Sequence, residues 1–73
     1  MTRTLNIIEN EINFYKEQAI NGVIEIGKRL IEAKELVPYG EWENWLKEKV
    51  DFSIRNAQRY MRVAREYPNN WKL

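Results

Sequence analysis

The chain contains no cysteine and no histidine. Disulfide bracing is excluded, and the thiolate and imidazole ligands of an ordinary zinc site are missing, so neither a metal nor a cofactor is expected. The usual nucleophile and acid–base groups are mostly absent with them. The acids that remain are dispersed among lysines and arginines, as on solvated helix faces. Glu41 and Glu43 flank Trp42 as a nominal carboxylate pair, but the first turn of a helix explains them. No enzyme and no small-molecule substrate is therefore expected. Glycine is scarce, with three residues, and no Gly-rich phosphate loop is present. No apolar run approaches the roughly 18 residues of a membrane span. The start, Met1 to Asn6, lacks the apolar stretch of a signal peptide. The expected location is the cytoplasm, without membrane contact.

What is present has to build a core from 73 residues, with three Trp and four Tyr among them. One small domain over 1–73 is the expectation, and it is marginal unless its core is good. The net charge of +1 says little, but its distribution says more. Residues 1–52 carry seven basic and ten acidic side chains, net −3, whereas residues 53–73 carry five basic and one acidic, net +4. Basic charge gathered into one element is the pattern of a face that meets a polyanion.

Apolar or small residues recur at Leu5, Ile8, Ile12, Tyr15, Ala19, Val23, Ile26, Leu30, Ala33 and Val37. Steps of three and four predict one long helix over about 4–37, and the weak turn signal Asn21-Gly22 offers the alternative of a bend or a break into two helices there. Thr4 is a capping residue, and Asn6 with Glu9 makes a capping-box-like pair. Glu25 and Arg29 stand four apart with the acid first, a small helix bonus. A second apolar line, Ile20, Ile24, Gly27 and Ile31, widens the apolar arc and is either wrapped by later helices or paired with another subunit. Pro38 and Gly40 end the helix. A short helix follows over about 41–49, with Trp42, Trp45 and Leu46 inward. Those tryptophans suit a core better than a base-stacking platform.

Phe52 is placed to plug a corner, and Ser53 is placed to cap a third helix over about 53–66. In that helix Ile54, Ala57, Tyr60, Met61 and Ala64 share one face, and Arg55, Arg59 and Arg62 share the other, flanked by Gln58 and Arg65. The tail, 67–73, is polar apart from Trp71 and Leu73 and frays unless Trp71 docks. The order predicts an all-α fold with a long helix packed on a helix-turn-helix-like pair. That motif sets its second helix in the major groove. Arginine pairs bidentately with guanine, and asparagine or glutamine with adenine. Arg55, Asn56, Gln58, Arg59 and Arg62 supply both kinds, and Ser53, Lys47 and Lys49 suit phosphates. Double-stranded DNA is the expected partner, with a homodimer through the long helix as a further one. The rival expectation is a protein-interaction module that uses Ile20, Ile24 and Ile31 or the arginine face.

Three runs also resemble a family. They are Ile26 to Val37, Gly40-Glu41-Trp42-Glu43-Asn44-Trp45-Leu46, and Phe52 to Ala64 with its Ala57-Gln58-Arg59-Tyr60-Met61 core. The resemblance is to the bacterial and phage family known as domain of unknown function 3102, over about residues 20–66. It implies a phage, plasmid or other mobile-element setting and a DNA-binding role, in proteins often longer than this one. Tyr39 departs from the family, which more often carries histidine there.

Overall fold

The computed structural model describes residues 4–18 and 22–66. Four helices follow one another: α1 over Leu5–Tyr15, α2 over Gly22–Leu36, α3 over Trp42–Trp45 with a π-helical continuation over Leu46–Val50, and α4 over Ile54–Glu66. The all-α expectation holds among the described residues.

The expected single long helix is two helices. Thr4 caps α1 as expected, its Oγ1 accepting from the Ile7 amide at 3.3 Å. After Tyr15 the bonding tightens: the Glu17 amide reaches the Phe14 carbonyl and the Gln18 amide that of Tyr15. Such i to i−3 bonds close a helix end rather than extend it. The chain then folds back, and the start of α2 comes so close to the end of α1 that a Cβ on Gly22 would lie 2.5 Å from the Tyr15 carbonyl oxygen. The gain is a second packed surface. A continuous helix would leave its N-terminal apolar residues alone, whereas the hairpin buries Ile8 and Ile12 completely. Val23, placed inward by an unbroken stripe, is 40% exposed because the stripe does not pass through the turn. Ala19 and Ile20 lie outside the described residues.

Arg29 fastens the hairpin. Its Nε donates to Glu11 on α1 at 2.8 Å, and its Nη1 donates to the Glu25 carboxylate and, at 3.1 Å, to the Glu25 carbonyl. The guanidinium also lies 4.6 Å from the centre of the Tyr15 ring. Burial works against its charge, but the hydrogen bonds it donates to Glu25 and Glu11 outweigh that and raise its pKa above the ordinary arginine value.

α2 ends where Pro38 forbids continuation. Pro38 to Glu41 form a turn closed from the Glu41 amide to the Pro38 carbonyl at 3.0 Å, with Gly40 at φ 90° in the position that needs a left-handed residue. The short helix is tied to α1 by side chains far away in sequence. Glu9, expected in a capping box, instead accepts from the Trp45 indole at 2.9 Å. Lys16 donates to the Val50 carbonyl at 2.9 Å, and Asn13 to that of Lys49 at 3.3 Å. These donors satisfy carbonyls that a helix end leaves open.

The core is made by Ile8 and Ile12 of α1, Ile26, Leu30 and Ala33 of α2, Trp45, Leu46 and Val50, Phe52 of the corner, and Ala57 and Met61 of α4. Trp42 stacks on Trp45 with ring centres 5.4 Å apart, so the tryptophan pair belongs to the packing. α4 rests mainly on α2. Gly27 marks the crossing: a Cβ there would overlap the Tyr60 carbonyl and lie 2.7 Å from the Ala64 Cβ. Ile24, from the same second apolar line, is buried and Ile31 is half-buried. Much of that line is thus covered within the chain.

Candidate nucleic-acid interface

The corner before α4 is built from three residues. Asp51 takes the left-handed conformation at φ 58°. The Asp51 and Phe52 amides both donate to the Leu46 carbonyl and so close the π turn. The position usually filled by glycine is held here by aspartate, which tolerates it better than most side chains. Phe52 is buried and packs against Tyr60 with ring centres 5.1 Å apart, which is the expected plug. Ser53 caps α4 as expected, its Oγ accepting from the Asn56 amide at 3.1 Å.

With Ala57, Met61 and Ala64 buried, α4 leaves Arg55, Asn56, Gln58, Arg59, Arg62 and Arg65 exposed. None of these side chains makes an ion pair among the described residues, in contrast to Arg29. Their order around the axis follows from 100° per residue. Arg55 and Arg59 point away from α2. Arg62 leads from them to one edge, with Gln58 and Arg65. Asn56 stands on the opposite edge with the half-buried Val63. The two amide side chains expected to read bases are therefore on opposite sides of the helix, roughly 160° apart.

Each edge borders α2. On the Asn56 side a shallow groove of about 250 Å³ is lined by Val23, Asn56, Arg59, Tyr60 and Val63. Tyr60 is half-buried at the boundary, as its position on the helix implied. On the Gln58 side an open cleft of about 420 Å³ includes Lys34 of α2 with Arg62 and Arg65. Lys34 was not among the expected contact residues, since nothing local in the sequence links it to α4. Lys47 and Lys49 are exposed on the π turn, away from the centre of α4, and Lys47 is engaged by Glu43 at 3.7 Å. Ser53, with its hydroxyl used in capping, stands at the helix start between the two groups. Tyr39 is fully exposed at its turn. Among the described residues no cluster of acidic side chains could hold a metal ion, and no helix is long and apolar enough to cross a membrane.

These features define a small all-α domain that presents one cationic helix, held by its apolar face and free on the other. The chain belongs to the family described as Protein of unknown function (DUF3102), which it matches over residues 3–72. Comparison with curated proteins and with solved structures found no match.

Proposed function

We propose that this is a non-catalytic, helix-turn-helix-like protein of a phage or mobile element that binds double-stranded DNA in the cytoplasm through α4. The observation that carries this reading is that Arg55, Arg59 and Arg62 are exposed and unpaired among the described residues, on a helix whose other face is locked onto α2. Free arginines on a rigid helix suit both phosphates and guanine edges. The tight corner at Asp51 to Ser53 and the short helix before it supply the frame of a groove-reading pair. Asn56 and Gln58 extend the reading surface to either side, and Ser53, Lys47 and Lys49 are the proposed backbone contacts, Lys47 once released from Glu43.

Fluorescence anisotropy with a panel of labelled duplexes at two salt concentrations tests the reading. Arg59→Ala and Arg62→Ala are expected to weaken binding, by about 5- to 150-fold for a side chain that holds a base bidentately. If both variants bind every duplex as tightly as the parent at low salt, the reading fails.

A protein-interaction module is the second reading. The apolar line expected to serve it is partly used up inside the fold, but α1 carries Ile7 and Phe14 at 46% and 59% exposure, seven residues apart on one face. A monomer in sedimentation with no affinity for any duplex would favour that reading.

A further inference from the structure

Deepening the DNA reading, on which it rests, we infer that the cleft between α2 and α4 is a seat for the sugar–phosphate backbone, with Lys34 and Arg65 as its phosphate anchors. The cleft is lined by Lys34, Gln58, Met61, Arg62, Arg65 and Glu66. Three cations and a neutral amide donor face one carboxylate there. None of the three cations makes an ion pair among the described residues, so their charge is not spent within the fold. Lys34 rests with its ammonium 5.9 Å from the centre of the Trp42 ring, an aromatic support that leaves its donors unused. The floor is Met61, which is buried, so the cationic groups stand at the rim.

The shape fits a strand better than a lone ion. Gln58, Arg62 and Arg65 follow one another at i, i+4 and i+7 along the edge of α4, a run of roughly 10 Å. One DNA strand advances ~3.4 Å per nucleotide, so that run spans about three backbone units. The cleft is open to solvent, as access for a polymer requires. It also lies beside, not upon, the Arg55 and Arg59 centre of the helix. A duplex read by those arginines would bring one flanking strand to the Lys34 side. In this arrangement α2 is a second point of contact, outside the corner and α4, and it fixes the angle at which α4 enters the groove.

Contacts to phosphates carry no base information and appear in the salt dependence of binding. Lys34→Gln and Arg65→Gln change only exposed side chains, and circular dichroism verifies that the helices persist. Anisotropy titrations on the same duplex panel are run from 50 to 200 mM salt. Each substitution is expected to weaken binding by the same factor on every duplex. Each is also expected to reduce the slope of log affinity against log salt by about 0.9, so that the fourfold salt change costs the variant about 3.5-fold less affinity than it costs the parent. Unchanged affinity and slope in both variants, while Arg59→Ala still weakens binding, overturn the cleft and leave the DNA reading standing. A loss confined to particular duplexes also overturns it, since that would make these residues base readers. Absence of duplex binding by the parent overturns both.

Discussion

The carbonyl of Tyr60 occupies the space that a side chain on Gly27 would need. The two helices therefore meet backbone to backbone, and the position of α4 depends on one missing methyl group. Gly27→Ala gains helix propensity of ~1 kcal/mol but forces the crossing apart. Overpacking of this kind costs about 1–3 kcal/mol, and here the obstacle is backbone rather than a movable side-chain end. The expected outcome is a net loss of stability, read as a melting temperature lower by several degrees.

Asp51 gives the opposite expectation. Its left-handed backbone suits glycine, and the residue is exposed, so little packing is lost on substitution. Asp51→Gly should be at least as stable as the parent. Asp51→Val should be less stable than Asp51→Gly by about 1–2 kcal/mol, because a β-branched residue is strained in that conformation. Urea unfolding of the two variants side by side measures the difference.

Arg29→Lys should weaken the α1–α2 hairpin despite keeping the charge. A lysine has no planar fork to reach Glu11 and Glu25 together while covering Tyr15. The expected cost is about 1–2 kcal/mol, discounted for a side chain still 18% exposed. The pKa of Arg29 is raised in the fold, so its charged-state contribution is complete below the unfolded value and is lost only as pH climbs through the folded one, in strong alkali. The stability difference between parent and variant should consequently stay flat from pH 6 to pH 8, measured by thermal melts.

The parts of the fold that local chemistry decides were legible. Ser53 as a cap, Phe52 as a corner plug, the proline stop after Val37 and the buried face of α4 all follow from residues within a turn of each other. The same holds for the Glu25–Arg29 pair, which the structure forms. The break between α1 and α2 was legible only as the weak Asn21-Gly22 turn signal, which continuity of the stripe outweighed, because Tyr15, Ala19 and Val23 keep helical spacing across it and no proline intervenes. What decides the break is the burial of Ile8 and Ile12 against the rest of the chain, a tertiary gain that periodicity does not register. Gly27 looked like one member of an apolar line, and only the approach of Tyr60 explains it. Lys34 entered the candidate surface for the same reason: its neighbours lie on α4, more than twenty positions away.

The crossing at Gly27 also has a consequence in time. Positions 27 and 60 are 33 apart, and α3 with its corner lies wholly in the loop between them. Closing that loop costs chain entropy before any contact repays it, while the α1–α2 hairpin closes over a few residues. The meeting of α2 with α4 should therefore belong to the rate-limiting barrier of folding, and the Arg29 fastening should form after it. In a chevron experiment Gly27→Ala would then chiefly slow refolding, whereas Arg29→Lys would chiefly speed unfolding. The reverse partition would mean that the hairpin, not the crossing, nucleates the domain.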